Sequence, residues 1–208
     1  MKTPYFILCL VLLVASIANG QGTLIYDQSS ATNYAAVGGG AGIQEEQPMG
    51  QSFTPTLASV GFVQLNFSDF PTNSFGLGAT LFVNLWSSSI SNGILLSSTD
   101  PVFIPDGTFF FVTNFFFSTP VPVTSGTTYY LQPYVQSGNT ENLVINDGLY
   151  NYTGGTWYFN GAPNPNGLDL WFREGVLDVP EPSSGILVFL GSSLFLYARH
   201  KHKKHFRI

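Results

Sequence analysis

Between Gln21 and Asp178 the sequence has no Cys, no His and no Lys, and its one cation is Arg173. A Ser-His-Asp triad, a Cys-His pair, a lysine Schiff base and a His/Cys zinc site are therefore out of reach of this stretch. Carboxylate chemistry remains, because two acids flanking a glycosidic bond suffice to hydrolyse it. Glu45 with Glu46, and Asp147 with Glu141, are the nominal pairs. Both lie in acidic, turn-rich sequence where solvated surface charge is the better reading, so no catalytic residue is assigned and the chain is read as non-enzymatic.

Binding chemistry is better represented. Tyr150, Tyr152, Trp157 and Tyr158 fall within nine residues around Gly154-Gly155. Flat amphipathic rings on a loop can stack on the apolar face of a sugar while nearby Asn and Asp bond its hydroxyls. These four are the candidate glycan-binding residues. Asp147, Asn164, Asn166 and Asp169 offer oxygen ligands from turns of the kind Ca²⁺ accepts. They form no contiguous calcium loop, so no metal and no cofactor is assigned. The glycine run Gly38-Gly39-Gly40-Ala41-Gly42 lacks the following Lys-Ser/Thr of a phosphate loop and is expected to be a flexible surface loop.

The elements that must position these groups read as β throughout. Val63, Leu65 and Phe67 alternate with Gln64, Asn66 and Ser68, and Leu81, Val83 and Leu85 alternate with Thr80, Phe82 and Asn84, the period of a half-buried strand. Thr127 to Gln136 continues the pattern with Pro133 inside it, which predicts an edge strand or a bulge. Phe109 to Phe117, FFFVTNFFF, is apolar enough to run through the middle of a sheet or to cover another surface. Gly-containing turn signals such as Asp106-Gly107, Ser125-Gly126, Ser137-Gly138 and Asn166-Gly167 separate the runs. The expected architecture is all-β: a two-sheet antiparallel sandwich, jelly-roll-like or galactose-binding-like in outline. In LDLWFR, Leu170 and Phe172 alternate with Trp171 and Arg173, and Arg173 is expected to pair with Glu174, Asp169 or a carboxylate across the sheet.

Three segments follow from charge and hydropathy. Residues 1–20 carry one Lys, an apolar run and small residues at Ala15, Ser16, Ala18 and Gly20, the pattern of a secretory signal peptide. The one cysteine, Cys9, lies inside that apolar run, so the mature body, residues 21–178, has no disulfide framework and must stand on its core. That body holds eleven carboxylates against one cation, a net charge of −10. Nucleic acid and anionic lipid are disfavoured as partners of the body because their phosphates would be repelled, and no nucleic-acid partner is assigned.

The third segment, 179–208, runs Val179, Pro180, Glu181, Pro182, then 16 uncharged residues from Ser183 to Ala198, then the basic tail 199–208 with Arg199, Lys201, Lys203, Lys204 and Arg207. As a helix the uncharged run would reach roughly 24 Å, just short of a bilayer core of about 30 Å. The charges behind it act as a stop-transfer signal and set the C-terminus in the cytoplasm. One C-terminal transmembrane helix, 183–198, is therefore expected.

This order of V-P-E-P, short span and basic end resembles the PEP-CTERM sorting signal of exported bacterial proteins, and residues 50–175 resemble the β-sandwich bodies that precede such signals. The resemblance implies a Gram-negative source with an exopolysaccharide or biofilm programme. Its implied partner is a membrane enzyme of the exosortase type, which removes the span. The protein would then be exported, held in the inner membrane before processing, and delivered to the cell surface or extracellular matrix. With the acidic body and its aromatic loop, the expectation is a surface or matrix protein that binds or organises extracellular polysaccharide. The alternatives are a self-associating structural protein and, more weakly, a carboxylate-dependent glycosidase.

Overall fold

The computed structural model describes residues 22–30, 37–70, 78–90, 92–140, 143–148 and 152–179. The signal peptide, Tyr150, Glu141, the motif residues Pro180 to Pro182, the expected membrane span and the basic tail lie outside the described residues. Leu24–Leu177 form one compact unit.

Over the described residues there are only strands and connections. In chain order the strands are β1 (Thr23–Ser29), β2 (Val37–Gly42), β3 (Gly50–Phe53), β4 (Ser59–Asp69), β5 (Ala79–Ser87), β6 (Ile94–Ser98) and β7 (Val102–Ile104). They continue as β8 (Phe111–Pro122), β9 (Tyr129–Gly138), β10 (Leu143–Gly148), β11 (Trp157–Phe159), β12 (Ala162–Pro163), β13 (Asp169–Leu170) and β14 (Phe172–Asp178). One sheet runs β1-β14-β4-β10-β13, with β8 on the other side of β4 and β2 beside β10. The other runs β12-β11-β3-β9-β5-β6, with β7 beside β5. Each pairing with a defined register is antiparallel.

The period-2 residues decide which faces meet. Val63, Leu65 and Phe67 of β4, Phe115 and Phe117 of β8, Ile145 of β10 and Phe172 of β14 pack into one core with Leu81, Val83 and Leu85 of β5 and Leu131 and Val135 of β9. The two sheets thus form a sandwich, as two half-apolar sheets must if each is to bury its apolar face. Phe172 touches the rings of Phe53 at 6.5 Å and Tyr152 at 5.3 Å, which ties both sheets and the 152 loop together.

One expectation is corrected by the fold and three are narrowed. The glycine run is not a loop but β2, paired with β10 over Gly40, Ala41 and Gly42. Its composition has a steric cause: a Cβ at Gly40 would come within 2.8 Å of the Ile145 carbonyl oxygen. Pro133 lies in β9, which is no edge because it is flanked by β3 and β5, but β9 does bulge against β5 between Val135 and Ser137. The β3 ladder ends at Leu131, and the Gln47 amide donates to the Pro133 carbonyl at 2.9 Å. A prolyl nitrogen without a proton therefore interrupts no complete ladder on that side. The Phe-rich run enters β8 at Phe111, and the only strand partner of β8 among the described residues is β4, so of its two readings the middle of a sheet is set aside and cover for another surface stands. Arg173 and Glu174 leave β14 on opposite faces. The Arg173 guanidinium lies 4.9 Å over the Trp171 ring and 5.5 Å over the Tyr26 ring, a favourable cation–π arrangement.

Both faces of β4 are covered. Gln64, Asn66 and Ser68, on the face away from the core, are as buried as the core-facing residues between them.

Candidate functional site

The aromatic loop does not present four open rings. Trp157, in β11, is 7% exposed and packs in the core. Tyr152 lies edge-on to Phe172, and its hydroxyl donates to Gln28 Oε1 at 2.8 Å while accepting the Thr54 N–H at 3.3 Å. Tyr158 is half-buried, edge-on to Tyr130 at 5.5 Å. The strands explain this: β11 joins β3 through Trp157 and Tyr158, so alternate rings are directed into the sandwich. A Trp157→Ala change would open a core cavity as well as remove a ring.

Two of the four proposed oxygen ligands, Asp169 and Asn164, are spent on the fold. Asp169 is fully buried, with Oδ1 accepting Gln51 Nε2 at 2.7 Å and Oδ2 accepting the Tyr152 N–H. Asn164 Oδ1 accepts the Asn166 N–H at 2.8 Å and so closes its own turn. Among the described residues no three His, Cys, Asp or Glu side chains are grouped to hold a metal ion. Of the nominal catalytic acids, Glu46 is bonded to Asn160, and Glu141 lies outside the described residues.

A carboxylate cluster that sequence reading did not pick out lies where β1 runs beside β14. Asp27 of β1 accepts the Thr56 N–H at 2.7 Å and the Leu57 N–H at 2.9 Å, with the Thr56 hydroxyl and the Gln28 amide also donating to it. Burial alone would raise its pKa, but these donors outweigh burial and hold it below the usual carboxylate value. Glu174 has the opposite surroundings. It is 0% exposed, and no protein donor stands in good hydrogen-bonding geometry to either oxygen. Burial first, and then the Asp27 carboxylate alongside, push its carboxyl up to about 8. At neutral pH the pair is thus one carboxylate and one neutral acid, the state expected of two acids sharing a confined site.

Tyr152 completes the cluster. Burial, and then the field of Glu174, Asp27 and Asp169, raise its phenol to about 12, so it stays neutral and acts as a donor. A protonated Glu beside an ionised Asp resembles a catalytic dyad on paper. Here the acid is sealed from solvent and its partner is fully engaged by backbone and hydroxyl donors, so a substrate bond has no path between them. The pair therefore holds one proton near neutral pH, on Glu174. A legible signal for it did exist: Glu174 sits two residues after the inward-facing Phe172, at an inward-facing position of β14.

No family model fits the chain, and no curated protein is significantly similar to it.

Proposed function

We propose that this chain is an exported, non-enzymatic surface or biofilm-matrix protein, sorted by an exosortase-type membrane enzyme, whose jelly-roll-like or galactose-binding-like sandwich binds or organises extracellular polysaccharide. One observation carries the reading: V-P-E-P at 179–182, the uncharged run 183–198 and the cations Arg199 to Arg207 stand in series behind a body with no nucleophile-base set. Two structural features support it. Val179, the first motif residue, is 55% exposed, as an approach to a membrane protease must be. The closed Asp27-Glu174 pair also removes the most suggestive acid dyad from catalysis.

The tail gives the direct test. Changing Pro180, Glu181 and Pro182 to Ala is expected to leave translocation intact and trap the protein in the inner membrane with Ile208 attached. Removing the charges of Arg199, Lys201, Lys203, Lys204 and Arg207 is expected to cause leakage or misorientation instead. Mass spectrometry of the C-terminus separates the two. An identical C-terminus in the wild type and the Pro-Glu-Pro variant would reduce the tail to a plain anchor. Binding is tested by a glycan array probed with the purified protein.

A second reading, a self-associating matrix component, is favoured by one surface. β6 ends its sheet, and it exposes Ile94 (70%), Leu95 (46%) and Leu96 (38%), the profile of a strand edge open to another chain. Concentration-dependent sedimentation without any glycan, abolished by Leu95→Lys, would favour it.

A further inference from the structure

The sheet β12-β11-β3-β9-β5-β6, with β7 beside β5, is free of charge: no Asp, Glu, Lys, Arg or His occurs in the seven strands described above. Asp27, Asp69, Asp147, Asp169, Arg173 and Glu174 all lie in strands of the other sheet. In this neutral sheet β5 and β9 direct Leu81, Val83, Leu85, Leu131 and Val135 into the core. Alternation then places Phe82, Asn84 and Trp86 of β5 and Tyr130, Gln132 and Tyr134 of β9 on the outward face. A sheet with one face on a core usually shows water polar side chains on the other. Here four of the six are aromatic.

The register sets Trp86 opposite Tyr130, Asn84 opposite Gln132 and Phe82 opposite Tyr134. An amide pair thus lies between two aromatic pairs, and four residues of strand separate the aromatic pairs by about 13 Å. The Phe82 and Tyr134 rings are 5.6 Å apart, and Tyr158 of β11 extends the other end, edge-on to Tyr130. These rings reach solvent: Tyr134 is 39% exposed, and Phe82, Trp86, Tyr130 and Tyr158 are each partly exposed. The amides between them are buried and bonded. Ser98 of β6 donates to Asn84 Oδ1 at 2.6 Å, Trp86 Nε1 donates to Gln132 Oε1 at 2.8 Å, and Gln132 Nε2 donates to Gln47 Oε1 at 2.9 Å. This chain holds the indole in one orientation, so the rings are set before a ligand arrives.

Cross-strand aromatic pairs stabilise a sheet by covering each other. Rings left partly open on both sides of a braced amide pair also suit the C–H face of a sugar, whose hydroxyls can meet the phenols beside them. With no cation in the sheet and a body charge of −10, an acidic sugar would be repelled and find no partner, and a second copy would bring a second −10. A neutral chain meets neither obstacle. We infer that this open face, and not the loop around Gly154-Gly155, is the saccharide site. Its ligand is a neutral oligosaccharide lying along β5 and β9, over Trp86 and Tyr130 at one end and Phe82 and Tyr134 at the other. The inference rests on the polysaccharide-binding reading above and gives it a place.

The test uses the full chain in a detergent without a sugar headgroup, titrated with cellohexaose and chitohexaose as neutral probes and hexagalacturonate as the anionic one. Calorimetry reads affinity, and thermal unfolding reads the fold. Tyr134→Thr keeps a strand-forming residue at an exposed position, so the melting temperature should hardly move. The Kd of a neutral hexasaccharide should rise about tenfold, the scale of one lost ring contact. Trp86 supplies a second readout. The other two tryptophans, Trp157 and Trp171, are 7% and 1% exposed, so acrylamide quenching reports chiefly on Trp86. A saturating neutral hexasaccharide should protect that signal in the wild type and not in Trp86→Phe. Tyr26→Thr, which removes an exposed ring from the other sheet, is expected to leave affinity unchanged.

Binding by the wild type that Tyr134→Thr does not weaken, or that leaves Trp86 unprotected, overturns the site and leaves the polysaccharide reading intact. Tighter binding of hexagalacturonate than of either neutral chain overturns the ligand class. A dimer that forms without glycan and that Tyr134→Thr dissolves makes the face a contact between copies and overturns the proposal. No binding of any of the three probes overturns the site, and silence of the same protein on the glycan array as well defeats the reading beneath it.

Discussion

Glu174→Gln is expected to leave stability unchanged at pH 5 and to raise it by several kcal/mol at pH 9. The sign follows from the direction of the shift. The Glu174 carboxyl is raised from 4.5 to about 8 in the folded protein, so the folded state holds its proton more tightly than the unfolded state does. Its contribution is fully present below about pH 4.5 and is lost as pH rises through about 8. The difference corresponds to an order of 3 to 5 kcal/mol. Gln stays neutral throughout. Asp169 and Asp69 are raised as well, chiefly by burial, and act in the same direction. Asp27 is lowered and acts oppositely, losing its contribution only as pH falls below the ordinary carboxylate range. The wild type should therefore be most stable in mildly acid solution. Urea unfolding of both proteins from pH 4 to 9 checks this: curves that stay parallel from pH 5 to 9 would show that Glu174 does not store a proton.

Gln51→Leu should be the most damaging single change at a polar position. Gln51, fully buried in β3, donates to Asp169 Oδ1 at 2.7 Å and accepts the Leu170 N–H at 2.9 Å, both in β13 of the opposite sheet. Leu fills most of the volume but leaves a buried carboxylate short of a donor and a buried amide without an acceptor. Removing one partner from such a pair costs about 3 to 5 kcal/mol, or a melting temperature lower by roughly 10 °C for a body of this size. Adding Asp169→Asn to Gln51→Leu should recover part of the loss, because the residual polar group is then uncharged. Calorimetry on the wild type, both singles and the double completes the cycle. A Gln51→Leu protein within about 1 kcal/mol of wild type would show that the inter-sheet bridge contributes little.

Much of the architecture was legible because it is written at short range. The alternation in β4 and β5 named the core-facing residues Val63, Leu65, Phe67, Leu81, Val83 and Leu85, all of them fully buried. The turn signals at Gly107, Gly126, Gly138 and Gly167 coincide with backbone φ between +66° and +104°, the left-handed region that glycine enters at least cost. Of the two readings of Phe109 to Phe117, the middle of a sheet failed and cover for another surface held, because hydrophobicity does not report the number of strand neighbours. Phe116 is spent on Phe62 at the outward face, while Phe109 pairs edge-on with Phe70.

By itself the sequence determined the all-β class, the chemistry the body lacks for want of His, Cys and Lys, and the order of motif, apolar run and cations at the C-terminus. Those are properties of composition and of neighbours a few residues apart. The tertiary structure alone decided that Asp27 meets Glu174 from the other end of the chain. It also decided that Trp157 and Tyr152 turn into the core and that the glycine run is a strand. Each depends on which strands become neighbours. An antiparallel sheet sets that by pairing residues a hundred or more positions apart, through backbone hydrogen bonds that no local pattern encodes.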